Sequence, residues 1–286
     1  MKNTTSWLIA VAILAGACAG CTTVSTNNRY LDEFEAANKG GTTFTPATKV
    51  ISGLNLTRAY RLQRILVARR QANGERLAGF KSGLMSTGSL AARHVSEPIV
   101  GALFVSGAVQ SGGNISLCGY RRPALESKLG YVFRRSVTKP LSSIAELTGA
   151  LASVRPVIEL PDIAYDNEQN YQALDMVAAN VTAARYVLGT DYSIRSLQPK
   201  ELDELNILVT RDAVISSQGT AGESLGSQLP SLLIVVNQLI GRGYHIKPGM
   251  MVLTGKIGAK VNVVPGVYMG DFGELGRVKF AVRACN

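Results

Sequence analysis

The stretch Thr57-Arg-Ala-Tyr60-Arg-Leu-Gln63-Arg-Ile-Leu-Val67-Ala-Arg69-Arg-Gln-Ala-Asn-Gly74-Glu-Arg-Leu-Ala-Gly79-Phe-Lys81-Ser-Gly83-Leu84-Met-Ser86 marks the point where the chain changes character. Its first half has helical spacing. Leu62, Ile65 and Leu66 fall on one face, Thr57 stands where a cap belongs, and Asn73-Gly74 supplies a stop. Beyond Glu75, short apolar runs alternate with glycine and proline turns. Val100 to Val105, Leu129 to Phe133, Val157 to Leu160 and Ile207 to Val209 each have strand length. Ser231 to Leu239 reads as a second helix, because Leu232, Val235, Val236 and Leu239 share a face and Gly241 follows. Met250 to Val282 reads as β-hairpins punctuated by Pro265-Gly266 and Gly273. No internal repeat is visible. These signals describe an α+β domain, with one or two helices early and a sheet-rich body after them.

Upstream of that stretch the composition is different. From Thr22 to about Leu56 the chain is rich in Thr, Asn, Ala and Gly, with one acidic patch at Asp32-Glu33-Phe34-Glu35. This reads as a polar tether, 22–56, with at most a short helix. Ahead of it come Met1-Lys2-Asn3, an apolar run from Trp7 to Ala17, and Cys18-Ala19-Gly20-Cys21. A positive start, a short apolar core and a small-residue exit describe an export signal over 1–21. The apolar core is too short for the roughly twenty residues that span a bilayer. Ala19-Gly20-Cys21 is similar to a bacterial lipobox, which implies lipidation at Cys21. Processing at Cys18, and plain cleavage without a lipid, both stay open. The expected location is the periplasm or the outer membrane, with membrane contact through the anchor.

Of the 286 residues, 46% are hydrophobic and 17% charged, enough apolar material for a core and too much for disorder. The formal charge of +10 suits an anionic partner. Aromatics are only 6% and the Lys and Arg are scattered, which argues against a nucleic-acid binder. His94 and His245 stand alone, and no Cys/His group has zinc spacing. With Cys21 as the anchor, Cys118 and Cys285 remain; an oxidising compartment permits them to pair, but sequence does not give their separation.

The quoted stretch resembles the opening of the 2-oxopent-4-enoate hydratases and the related oxalocrotonate decarboxylases, of the fumarylacetoacetate hydrolase superfamily. Further motifs follow in order: Tyr186-Val187-Leu188-Gly189, the helix with Asn237, Leu239 and Gly243, Val252-Leu253-Thr254-Gly255, Val264-Pro265-Gly266, and Phe272-Gly273-Glu274-Leu275-Gly276. The resemblance covers roughly 57 to 282. It implies a mixed β-sandwich roll with an N-terminal helical cap, so 57–286 is expected to be one hydratase-like domain. It also implies lyase chemistry on a 2-oxo-alkenoate, a small 2-oxo acid. In such chemistry Mg or Mn, held by three carboxylates, stabilises an enolate.

Carried over residue by residue, the pattern is incomplete. Glu126 and Glu159 match two of the carboxylates, and Asp162 is a further candidate. Lys128 stands where the second glutamate of a Glu-x-Glu pair belongs. Lys81 matches an active-site lysine and Asn180 a motif asparagine, and the resemblance implies catalytic roles for both, while Ile99 replaces an acid and Lys256 a serine. Without the resemblance the two glutamates would pass for edge carboxylates and the lysines for solvated ones. Two functions follow: a hydratase or decarboxylase with an altered metal site, or an exported, non-catalytic binding protein in which Lys128 replaces the ion. The metal-free form needs no cofactor. The oligomeric state stays open, a homo-oligomer included.

Overall fold

The computed structural model describes residues 19–166, 171–196 and 198–285. The expected export signal lies, up to Cys18, outside the described residues. Three helices lead the chain: α1 (Ala19–Gly40), α2 (Ala47–Val50) and α3 (Leu56–Ala72). Asn55, not Thr57, caps α3. Its side-chain oxygen accepts a hydrogen bond from the Arg58 backbone N–H at 3.0 Å, the usual reach of an N-cap.

The segment 22–56 is not a tether. Tyr30, Leu31, Phe34 and Ala37 of α1 are buried against Phe44, Ala47, Leu62 and Leu66. These α1 positions form a helical stripe that an average over a polar composition conceals. The acidic patch has its own partner, since the Arg69 guanidinium lies 2.7 Å from Asp32 and 2.8 Å from Glu35. Among the described residues no helix is long and apolar enough to cross a membrane.

Strand β1 (Leu77–Gly83), helix α4 (Thr87–Ala92) and strands β2 (Ile99–Phe104), β3 (Ala108–Gln110) and β4 (Asn114–Ser116) follow. The long strands β5 (Ala124–Phe133) and β6 (Leu151–Leu160) flank helix α5 (Ile144–Ala150). Next come α6 (Ala173–Ala178), β7 (Arg185–Leu188), β8 (Tyr192–Ser193) and α7 (Pro199–Glu204). Then follow β9 (Asn206–Arg211), β10 (Val214–Thr220), α8 (Gln228–Gly241) and β11 (Met251–Leu253). Strands β12 (Ile257–Asn262), β13 (Gly266–Asp271) and β14 (Arg277–Arg283) close the chain, the last two as the expected hairpin.

One sheet runs β2-β1-β11-β5-β6-β7-β3, with β12 joined to β5 and β8 to β6; a second runs β10-β9-β13-β14-β4. The first sheet curls on itself. Leu103 of β2 packs inside the curl with Val157, Tyr186, Leu188, Met251 and Leu253, and the Tyr186 hydroxyl donates to the Phe104 carbonyl at 2.9 Å. Its outer face, with Phe80, Leu129, Tyr131 and Ile158, shares one core with α8 and with Val209, Tyr268 and Phe280 of the second sheet. The α+β roll that the motifs implied is therefore present.

Glycine fixes the register at one critical place. A Cβ on Gly79, whose φ is +150°, would sit 1.8 Å from the Met251 carbonyl oxygen. Only glycine lets β1 lie parallel beside β11, and that pairing sets Lys81 opposite Leu253. The remaining open pairing is also made: Cys118 and Cys285 form a disulfide that ties the end of the chain to the loop after β4.

If α1 belongs to the folded unit, truncating its buried stripe will destabilise the whole domain. Leu31→Ala, at a fully buried position, is expected to cost about 2–5 kcal/mol in chemical denaturation. A tether would show no change.

Candidate functional site

Four charged side chains meet at one end of the curled sheet. Glu126 and Glu159 are direct cross-strand partners on β5 and β6. Residues two apart on a strand share a face, so Lys128 points the same way as Glu126. Its ammonium lies 3.3 Å from Glu126 Oε2 and 3.1 Å from Glu159 Oε2. From β1, Lys81 Nζ reaches Glu159 Oε1 at 2.5 Å. Lys81, Lys128 and Glu159 are 3%, 1% and 0% exposed, so these charges have little water to fall back on.

The hydrogen-bond capacity of the two ammoniums differs. Besides the two carboxylates, Lys128 Nζ donates to the Ser82 carbonyl at 3.1 Å and lies 3.4 Å from that of Thr254. Three N–H groups thus face four acceptors, and none is left over. Lys81 Nζ has Glu159 and the Val181 carbonyl, at 3.1 Å, leaving one N–H unclaimed among the described residues, beside the cavity that Lys81 lines. Burial pushes the Lys128 pKa down, but Glu159 and then Glu126 overcome it, and the net direction is upward. For Lys81 burial wins, with the Lys128 charge adding to it against the pull of Glu159, and its pKa falls. Burial would raise the Glu126 carboxyl; Lys128, then Lys81, hold it below the usual carboxylate range.

The cavity beside these groups measures about 410 Å³. Its apolar wall includes Leu84, Met85 and Met176, and Arg93, Lys256 and Lys260 add positive charge. Another wall is strained backbone. Asn180, Val181 and Thr182 have φ of 53°, 52° and 55°, a left-handed run that β-branched Val and Thr rarely enter. Such conformations cost on the order of 1–3 kcal/mol each and persist only where the surroundings enforce them. Asn180 is the enforcing group. Its Oδ1 accepts from the Ala102 N–H at 2.7 Å and its Nδ2 donates to the Ala102 carbonyl at 2.9 Å. A Cβ on Gly101 would come within 2.8 Å of the Asn180 carbonyl oxygen, so this approach too needs glycine.

Several expected site residues are therefore placed differently. Asn180, expected to be catalytic, is spent on β2 and does not join the four charges; it positions the Val181 carbonyl that receives Lys81. Asp162 turns away to Arg121, at 3.0 Å, and accepts from the backbone N–H groups of Arg121 and Arg122. Ile99 is buried core. Lys256 does reach the cavity, with its ammonium held by the Gly258 carbonyl at 2.8 Å.

These residues do not fit a divalent ion. Two carboxylates converge where the resemblance implies three, no group of three metal-ligating side chains occurs among the described residues, and the Lys128 ammonium lies between the two that are present. An ammonium donates and cannot ligate. At about 4 Å from a doubly positive ion it would repel by roughly 8 kcal/mol at an effective dielectric near 20.

No protein-family model matches the chain. Single relatives do. The chain is 30% identical over 244 residues to a 2-keto-4-pentenoate hydratase of Burkholderia vietnamiensis, covering 85% of this chain and 92% of the relative. A 4-oxalocrotonate decarboxylase of Pseudomonas putida is 29% identical over 208 residues, 73% of this chain and 78% of the relative. The chain belongs to the 2-keto-4-pentenoate hydratase and 4-oxalocrotonate decarboxylase family.

The solved structure of a Pseudomonas putida 4-oxalocrotonate decarboxylase, complexed with magnesium and adipate, matches with a TM-score of 0.86 at 25% identity, over 91% of this chain and 98% of that one. A fumarylacetoacetate hydrolase family protein from Yersinia pestis, 11% identical, shares the fold with a TM-score of 0.55. Within this hydratase and decarboxylase family, the structure shows groups that motif matching missed. The carbonyls of Ser82, Val181 and Thr254 carry no side-chain signal in any sequence. The left-handed run could be suspected from neither Val181 nor Thr182, both poor candidates for positive φ.

Removing the central ammonium should be severe. Lys128→Met leaves two carboxylates with Lys81 alone, and is expected to cost about 3–5 kcal/mol in urea unfolding. Glu126, with its pKa lowered, contributes stability above the ordinary carboxylate range and loses it as pH falls. Lys128, with its pKa raised, contributes below the ordinary lysine range and loses it only in strong alkali. The cost should accordingly shrink towards acid, as Glu126 is protonated.

Proposed function

We propose that this chain is an exported, lipid-anchored member of its family that binds a small 2-oxo acid without a divalent ion. The observation that carries the reading is Lys128 Nζ, 3.3 Å from Glu126 and 3.1 Å from Glu159. Its charge stands where the family pattern calls for a cation. Lys81 then offers the ligand its remaining N–H, and the positive wall attracts the carboxylate. Lys81, with a lowered pKa and Glu159 alongside, is suited to hold or move one proton at Nζ. The pocket reads as a binding site first, because no group chelates the two oxygens of the acid.

The kinship to hydratases and decarboxylases favours a second reading, a lyase that recruits Mg or Mn when Lys128 swings aside. Calorimetric titration with Mn separates the two. The unmodified protein is expected to show no binding in the micromolar range, and Lys128→Glu to bind Mn. Micromolar Mn binding by the unmodified protein, together with hydration of 2-oxopent-4-enoate, would establish the lyase instead.

Export is supported by the N-terminal pattern ending at Ala19-Gly20-Cys21 and by the Cys118–Cys285 disulfide, a bond that belongs to oxidising compartments. Mass spectrometry of the protein from membranes is expected to find a mature chain beginning at a diacylglyceryl Cys21. An unprocessed Met1 would exclude both the anchor and the signal.

A further inference from the structure

A second cavity, larger than the one beside Lys81, opens between the helical cap and the body. It measures about 750 Å³, within the range of roughly 300–1,000 Å³ usual for ligand cavities. Among the described residues, Thr182 of the strained run is the one lining residue that the two cavities share. The cap supplies an apolar wall of Phe34, Phe44 and Leu66, all buried. The body supplies charge and donors. The carboxylates of the lining are already claimed. Glu75 receives both Arg70 nitrogens at 2.7 Å and the Ser106 hydroxyl. Glu35 lies 2.8 Å from Arg69 and Asp162 lies 3.0 Å from Arg121. Arg185 forms no ion pair among the described residues, and its guanidinium is fixed by a hydrogen bond to the Ser106 carbonyl at 2.6 Å.

Two further donors of the lining lack an acceptor. The Tyr120 hydroxyl and the Arg121 Nε–H are buried, and neither has a hydrogen-bond acceptor among the described residues. Arg185 lies beside the Tyr120 oxygen, but a guanidinium only donates and leaves that O–H unmet. Burial pushes the Tyr120 pKa up to about 12, so its proton stays in place at ordinary pH. A buried donor without a partner costs about 1–3 kcal/mol, and three such groups on neighbouring walls call for one oxyanion. A neutral molecule would leave the Arg185 charge unbalanced, and a cation would meet neither need. We infer that this cavity is a second ligand site, which takes a small organic monoanion: its oxygens accept from Arg185, Tyr120 and Arg121, and its apolar body lies against Phe34, Phe44 and Leu66. The Cys118–Cys285 disulfide pins the loop that carries Tyr120 and Arg121, and docked α1 completes the apolar wall. The site stands apart from the acid site beside Lys81 and does not depend on it.

Calorimetric titration of the intact mature protein with 4-phenylbutanoate, its amide and acetate separates the head of such a ligand from its body. 4-Phenylbutanoate is expected to bind with a Kd below about 1 mM, the amide at least about tenfold more weakly, and acetate not measurably. Tyr120→Phe keeps the ring and removes an unmet donor. It should leave urea unfolding unchanged or shifted to higher urea while weakening 4-phenylbutanoate about fivefold, a split that a merely structural hydroxyl would not give. Arg185→Ala, at an exposed position, should cost the acid about tenfold and bring acid and amide to the same affinity. Binding that survives both substitutions, equal affinity of acid and amide for the unmodified protein, or no binding of 4-phenylbutanoate at all would each overturn the inference. The 2-oxo acid reading is tested separately, since Arg185→Ala is expected to bind 2-oxo acids as the unmodified protein does.

Discussion

Charge buried without water has to be balanced where it lies, and that requirement organises one end of this molecule. Isolated, any of Lys81, Lys128 or Glu159 would cost several kcal/mol to bury. Together with Glu126 they form two cations against two anions within 2.5 to 3.3 Å of one another. The pattern implied by the family resemblance reaches the same neutrality another way, with three carboxylates against one lysine and a doubly charged ion. Exchanging one carboxylate for a lysine while omitting the ion leaves the total unchanged. The exchange at 128 is thus a single step between two balanced arrangements, and the fold can accept it without rebuilding the sheet.

The same balance explains why the site needs a rigid frame. A pair held at 2.5 Å tolerates little drift, and Lys81 enters from a different strand than its partner Glu159. Gly79 fixes the approach of β1 to β11, while Asn180 locks the left-handed run against β2 and so places the Val181 carbonyl over Lys81. Strain in that run is stored by buried hydrogen bonds at its base, which is the usual way a strained segment persists next to a binding cavity.

Much of this was legible in the sequence, and the reasons for the rest are physical. Strand identities came from apolar runs bounded by glycine and proline; β5 extends beyond its expected run because Glu126 and Lys128 interrupt the apolar stretch, and β6 starts earlier than expected, across Ser153, Arg155 and Pro156. The Glu126, Lys128 and Glu159 convergence followed from two-residue spacing and motif order. Asn180 and Asp162 matched by neighbourhood, but motif position does not say where an amide or carboxylate points; the nearest unpaired backbone groups claimed both. The stripe of α1 was lost in its polar composition, and acceptor carbonyls leave no trace in residue type.

What a buried ammonium can do for a 2-oxo acid is limited by its protons. A divalent ion accepts two oxygens of the acid at once and draws the developing enolate charge onto itself. Lys128 has its three N–H groups facing two carboxylates and two carbonyls, so it influences the cavity through its field alone, and that field is offset by Glu126 and Glu159. The direct contact falls to the one remaining N–H of Lys81. A single donor orients and holds an acid, and the neutral cluster behind it offers the bound anion no strong stabilisation as charge moves onto the 2-oxygen. Under that proposal ground-state binding would be retained and the differential stabilisation that speeds a reaction mostly lost. On the reading proposed above, the altered charge set therefore suits holding an oxo acid better than turning it over.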